Sequence, residues 1–282
     1  MRPDIRPPAD REAAACRALL PEAFPESGWP AELLAVSGPG GIIGAAAIAW
    51  VPRGFPVLVR VAEAWRGRGI GRALLAAAID KARGETPALR TWHPVSEGSA
   101  ASRLFASAGF QTGRRLLVFE TDAAAFEAAM RALLARLSPR IPESARVVPV
   151  REAEPERVAQ LAAAPFGAAP HEIARRLVPG AASGFDPDLS LALLNADVPC
   201  GVMLATRSGS RLAVEINVVA PDARRRWANC MLLEAMARRG RAAGIELFRF
   251  CCEEHVTDTI NLARRSGARP LPAELAMVKP LG

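Results

Sequence analysis

The densest chemistry in the chain lies in the run Val59-Arg60-Val61-Ala62-Glu63-Ala64-Trp65-Arg66-Gly67-Arg68-Gly69-Ile70-Gly71-Arg72-Ala73-Leu74-Leu75. An apolar strand-like stretch ends in a glycine-punctuated turn that opens a helix. Such a turn presents unpaired backbone N–H groups at the positive end of a helix dipole, which suits a diphosphate. Gly69 and Gly71 carry no Cβ, so anionic oxygens can approach the backbone there, while Arg66, Arg68 and Arg72 add positive charge and Gly67 and Ile70 complete the turn. No Gly-Lys-Ser/Thr follows, so this is not a P-loop, and several strands precede it, so it is not a first-strand dinucleotide fingerprint. On these residues alone an ordinary solvated turn stands as the alternative.

Two titratable residues follow close behind. His93 ends a predicted strand, and an imidazole can act as a base near neutral pH; Glu97 is the second candidate. A surface or structural role for His93, just before Pro94, is the competing reading. The five cysteines have no CxxC or Cys/His ligand spacing, so buried reduced thiols are expected and no metal.

The elements that position these groups read from the patterning. Asp4 to Pro7 is extended, and Asp10 caps a helix bearing Ala14, Leu19 and Leu20, after which Pro21, Pro25 and Pro30 break the chain. Ala31 to Ser37 leads through the turn Gly38 to Gly41 into the strand Ile42 to Val51, ended by Pro52. Phe55 to Ala62 is a strand, Ile70 to Arg83 a helix closed by Gly84, and Leu89 to His93 a strand. Ser99 to Ala108 is a helix ended by Gly109, and Gln111 to Glu120 a strand. Asp122 to Leu137 carries Phe126, Met130, Leu133, Leu134 and Leu137 at helical spacing and reads as a linker helix, terminated by Pro139 and Pro142.

The pattern then restarts. Val147 to Arg151 echoes the first extended segment, Glu154 to Ala163 the first helix, and Leu189 to Leu194 with Gly201 to Thr206 form a hairpin. Arg66 and Arg224, Leu74 and Leu232, and Gly109 and Gly267 are all 158 positions apart, which indicates a tandem duplication. In the second copy Trp227 and Asn229 stand where the first has Gly69 and Gly71, behind the three arginines Arg224 to Arg226. Side chains there obstruct a phosphate cradle, so a degenerate copy is expected.

Composition sets the outer bounds. With 282 residues, half of them hydrophobic, and a mean hydropathy of +0.12, the chain has material for two cores and is not disordered. No apolar run reaches the roughly 18–20 residues of a bilayer helix and no apolar segment follows Met1-Arg2-Pro3-Asp4, so a cytoplasmic protein without membrane association is expected. The net charge of +7 favours anionic ligands. With 5% aromatics and scattered arginines there is no nucleic-acid module, and no nucleic-acid partner is expected.

The sequence resembles the GCN5-related N-acetyltransferase (GNAT) family. Arg66-x-x-Gly69-x-Gly71 is similar to that family's Arg/Gln-x-x-Gly-x-Gly/Ala loop for the coenzyme A pyrophosphate, and Leu104-Phe105-x-x-x-Gly109-Phe110 to its later helix ending in Gly-Phe. The resemblance implies an α/β (α+β) fold of two tandem GNAT-like units, each a mixed, mostly antiparallel central sheet flanked by helices. The expected division is an acyl-CoA-binding domain over 1–121, a linker helix over 122–142 and a degenerate GNAT-like domain over 143–282. It further implies acetyl-CoA as acyl donor and an amine of a small molecule or peptide as acceptor, with a homodimer as a possible assembly. Val59 and Val61 would line the pantetheine arm, with the strand Leu89 to His93 splayed away to admit it. Ser99 or Ser102 would replace the family's pantetheine-binding Asn, helix capping being the other role for Ser99. Phe105 stands where many members carry a tyrosine that protonates the leaving thiolate, and the chain contains no tyrosine at all, so that route is closed. Loops around Pro21 to Pro30 and Thr91 to Ser99 would shape the acceptor site.

Overall fold

The computed structural model describes residues 3–21, 31–49, 55–166, 168–178, 180, 184–223 and 227–282. Most of the expected acceptor loop at Pro21 to Pro30, the break at Pro52 and the arginines at 224–226 lie outside the described residues. In chain order the elements are β1 (Ile5–Arg6), α1 (Ala13–Leu19), β2 (Ala31–Gly38), β3 (Gly41–Ala49), β4 (Phe55–Val61), α2 (Ile70–Ala82), β5 (Ala88–Thr91), β6 (Val95–Ser96), α3 (Ala100–Ser107), β7 (Gln111–Asp122) and α4 (Ala123–Leu137). They continue as β8 (Ala145–Pro149), α5 (Pro155–Ala163), α6 (Pro170–Leu177), β9 (Leu191–Asn195), β10 (Val198–Ser208), β11 (Arg211–Val219), α7 (Trp227–Ala242), β12 (Leu247–Glu253), α8 (Thr257–Arg265) and β13 (Arg269–Pro280).

The chain forms two compact units, Met1–Leu116 with Pro272–Gly282, and Leu117–Leu271. This departs from the expected boundaries in two ways. The helix α4 is not a linker: its Phe126 and Met130 sit in the core of the second unit with Leu191, Met203, Trp227 and Phe248, and Asp122 caps it by accepting from the N–H groups of Ala124 and Ala125. The final 11 residues, counted from Pro272 to Gly282, belong to the first unit. β7 and β13 are counterparts at the 158-residue spacing, as Gln111 with Arg269 and Asp122 with Pro280. β7 divides between the units at Leu116 and Leu117, whereas β13 places Pro272 to Pro280 in the first unit.

In the first unit the strand order is β1-β2-β3-β4-β5-β13-β7, with β6 also on β13. β1 through β4 pair antiparallel, β4 and β5 parallel, and β13 antiparallel to β5 through Val278↔Arg90 and Lys279↔Leu89. One face packs on α2 and α3 through Ile48, Val57, Leu74, Leu75, Leu89, Phe105, Leu275 and Met277; the other packs on α1 through Cys16, Leu20 and Ala47. Leu74, Leu75 and Leu89 are fully buried, worth about 1.5–3 kcal/mol each by area removed from water. α2 presses close onto β3, since a Cβ at Gly44 would lie 3.0 Å from Ile70 Cγ2 and 3.1 Å from Leu74 Cδ1.

The second unit has the order β7-β12-β11-β10-β9-β8, with β8 through β11 antiparallel and β11 parallel to β12. One face carries α4 and α7, the other α5 and α6. No helix among the described residues is long and apolar enough to cross a membrane.

Candidate active site

The glycine turn sits where the first sheet opens. β4 is parallel to β5 only over Phe55 to Val57, and the last bond between them runs from Trp92 N to Val57 O, 3.1 Å. Beyond that point Val59 and Val61 pair only with Ala46 and Gly44 of β3, and both are half-buried. Their remaining edge faces the gap left by β5, as the resemblance implies.

A 3-10 turn over Glu63–Trp65 carries the chain from β4 into the cradle. Gly67 (φ 76°) and Gly69 (φ 79°) are both left-handed, a conformation that costs an L-residue about 1–2 kcal/mol. Gly69 is the residue immediately before α2. The first bond of the helix runs from Ala73 N to Gly69 O, 3.0 Å, leaving the N–H groups of Ile70, Gly71 and Arg72 as its unpaired donors. A Cβ built on Gly67 or Gly69 would meet nothing within 4 Å, so the space before these donors is open. Gly71 differs: its φ is ordinary, and a Cβ there would make normal contacts, 3.5 Å from Leu104 Cδ2 and 3.6 Å from Val61 Cγ2.

The three arginines have separate tasks. Arg66 Nε donates to Val61 O at 3.1 Å and ties the turn to the end of β4. Arg68 lies over the Trp65 ring, 4.7 Å from guanidinium to centroid. Arg72 is exposed and lines a cavity between α2 and α3.

The remaining expected residues divide. His93 is exposed, two residues past the end of β5 and next to the opening. Glu97 is held by Arg115, with Nη2–Oε2 at 2.8 Å and Nε–Oε1 at 3.3 Å, and this pairing keeps its carboxyl below the ordinary range. Ser99 Oγ accepts from Ser102 N at 3.1 Å and so caps α3, and Ser102 Oγ donates to Ser99 O at 3.0 Å, which leaves the Ser99 hydroxyl its own donor. Phe105 is buried, edge-on to Phe110 at 5.0 Å, and belongs to the core under the sheet. One contributor escaped the sequence reading. β13 supports the site, with Met277 N donating to Thr91 Oγ1 at 3.1 Å and Glu97 N donating to Ala273 O at 2.7 Å.

The second unit keeps the frame and fills the opening. β11 and β12 also pair only over Arg211 to Val214, and a 3-10 turn, Pro221–Ala223, again precedes the helix. α7 begins at Trp227, the position of Gly69, so a helical tryptophan stands where the first unit has a left-handed glycine. Its indole is buried among Leu191, Met203 and Leu232. Asn229, in place of Gly71, accepts at 2.9 Å from Asn217 Nδ2, which stands at the position of Val59. A cavity of about 430 Å³ nearby is lined by Arg140, Asn195, Cys200, Asp222 and Trp227, a mixed-charge wall without an open glycine turn.

Comparison with known proteins agrees with this geometry. Two models described as acetyltransferase (GNAT) domain match residues 30–112 and residues 100–256, the second spanning more than half of the chain. No curated protein matches by sequence. Among solved structures, a GCN5-related N-acetyltransferase from Sphaerobacter thermophilus is similar at 17% identity and TM-score 0.63, covering 99% of this chain and 96% of its own. A tandem GNAT protein from the clavulanic acid biosynthesis pathway is similar at 17% identity and TM-score 0.64, over 99% and 98%. A glucosamine N-acetyltransferase region of a fungal multi-domain β-N-acetylglucosaminidase aligns at 13% identity and TM-score 0.68, over 98% of this chain and 38% of that one. An open glycine turn at a parted pair of parallel strands, built once and echoed once within a duplicated chain, thus coincides with the family match: the protein belongs to the GNAT acetyltransferase family, in a tandem two-domain arrangement.

Proposed function

We propose that the first unit binds acetyl-CoA and transfers the acetyl group directly to an amine of a small molecule or peptide, and that the second unit has lost this capacity. The observation that carries the reading is the contrast at one position: Gly69 is left-handed with open space before it, while Trp227 is helical and buried. The donors of Ile70, Gly71 and Arg72 would take the pyrophosphate, and the free edge of β4 at Val59 and Val61 the pantetheine arm. The thioester carbonyl would then lie near the parting of β4 and β5, beside His93.

Direct transfer needs a neutral amine held against a polarised carbonyl, with no covalent enzyme intermediate. The amine nitrogen forms the new C–N bond, the C–S bond breaks, and the amine gives up a proton while the thiolate gains one. His93 is the better base of the two candidates, because Arg115 holds Glu97 as a weakly basic carboxylate. With Phe105 buried and no tyrosine in the chain, the thiolate takes its proton from water or takes the one that the newly acylated nitrogen gives up. That same absence favours a second reading, an acyl-CoA-binding module without turnover. Thiol release from acetyl-CoA over a panel of amines decides between them. Amine-dependent release that falls in His93→Gln supports transfer; tight binding with no release for any amine supports the silent module.

A further inference from the structure

A second cationic site adjoins the cradle. A cavity of about 300 Å³ is lined by Arg72, Ala76, Ile79, Asp80 and Arg83 along α2, by Ser107 and Ala108 at the end of α3, and by Lys279 of β13. Among the described residues its one carboxylate, Asp80, is already paired with Arg83 at 3.5 Å. Lys279 breaks a pattern: on β13 Ala273, Leu275 and Met277 alternate into the buried face, and the next residue in that row is a lysine. It is half-buried, and no carboxylate among the described residues lies within ion-pair distance. Its Nζ takes the space beside Gly109, where a Cβ would lie 2.7 Å away. A half-buried lysine that lines a cavity with Arg72 and Arg83 and has no carboxylate partner among the described residues gives that cavity a positive lining suited to an anion.

Coenzyme A carries two separated anionic groups, the pyrophosphate and the ribose 3′-phosphate, and Arg72 belongs to both the cradle and this cavity. We infer that Lys279, with Arg72, holds the ribose 3′-phosphate of the acyl donor, so that the last strand of the second copy supplies a specificity residue to the first unit. The inference rests on the acyl-CoA reading above. It also gives β13 a function beyond completing the sheet.

The test is equilibrium binding of acetyl-CoA and of 3′-dephospho-acetyl-CoA to the full chain, its Lys279→Met and Lys279→Arg variants, and Lys81→Met. The last removes the same charge at a lysine paired instead with Glu32. Wild type should prefer the phosphorylated donor by about tenfold, the scale of one charge-assisted contact. Lys279→Met should lose that preference with dephospho binding unchanged, while Lys279→Arg and Lys81→Met keep it. Equal binding of both donors to wild type overturns the inference while leaving the acyl-CoA reading intact, as does a preference that survives Lys279→Met or is lost equally in Lys81→Met. Binding of neither donor overturns both. Should Lys279→Met fail to fold, loss of preference is read from Arg72→Gln in the same cavity, and an undiminished preference there overturns the inference.

Discussion

Gly69 and Gly71 share their sequence positions with Trp227 and Asn229 of the second copy, and the two pairs differ in their physics. In the first copy, the left-handed Gly67 and Gly69 leave the donors of α2 facing open space. In the second, Trp227 is helical and its indole joins the core, while an Asn217–Asn229 bond spans the place where Val59 and Gly71 leave room. Open space and core packing thus trade at a single position, Gly69 against Trp227. Gly69 has no side chain to bury, whereas Trp227 at the same position is 6% exposed and packs in the core.

The comparison breaks most readily at β13. A fragment of residues 1–121 lacks the β13 residues that pair with β5 and put Leu275 and Met277 into the core. It should therefore show no cooperative thermal transition by circular dichroism; a sharp transition would mean that the first copy folds without the second. Next in size is Trp227→Ala, expected to cost about 3–5 kcal/mol by cavity formation. Denaturant unfolding should show the loss, and acetyl-CoA affinity should stay unchanged. An affinity drop would show that Trp227 serves a ligand.

Finer substitutions separate the two glycines. Gly69→Ala should destabilise by about 1–2 kcal/mol, because its φ of 79° is left-handed. Gly71→Ala should stabilise by up to about 1 kcal/mol, since a helical φ and ordinary contacts at 3.5 and 3.6 Å accept a methyl group. Unfolding midpoints of the two variants should move in opposite directions; a common direction would refute the distinction drawn between N-terminal cap and first turn.

The smallest effect concerns pH. In the first unit Arg6, the Ala9 N–H and Ser37 converge on Glu12, and the Arg6 guanidinium holds its carboxyl at about 2. In the second unit the position of Ser37 is Asn195, whose Oδ1 accepts from the neutral hydroxyl of Ser144 at 2.6 Å. A depressed carboxyl gives stability that is complete above its unfolded value of about 4.3 and lost as the pH falls toward 2. Melting temperatures should therefore fall through that window in wild type and fall less in Glu12→Gln. An identical acid slope in the two would remove the cluster from the account.

Much of this could be read from residue types, and the gaps have physical causes. The glycine turn and the helix it opens were legible because glycines, arginines and a following apolar helix are local signals, and the 158-residue spacing aligned the two copies. Ser99 was legible as a cap for the same reason. The apolar stripe of α4 showed a packed helix but not its partner, since periodicity marks a buried face without naming what buries it. The placement of β13 in the first unit was invisible. Gln111–Asp122 and Arg269–Pro280 are both plausible last strands of their own copies, and a choice between near-equivalent long-range pairings leaves no local trace. α6 escaped notice because Ile173, Ala174 and Leu177 are its only apolar residues after Pro170.

The central claim is that the chain holds one working cradle, and calorimetric titration of acetyl-CoA into the intact protein and into Gly69→Trp tests it most directly. One site per chain in wild type, abolished when the tryptophan of the second copy is placed in the first, is the expected result. Two sites per chain, or one that survives Gly69→Trp, would contradict it.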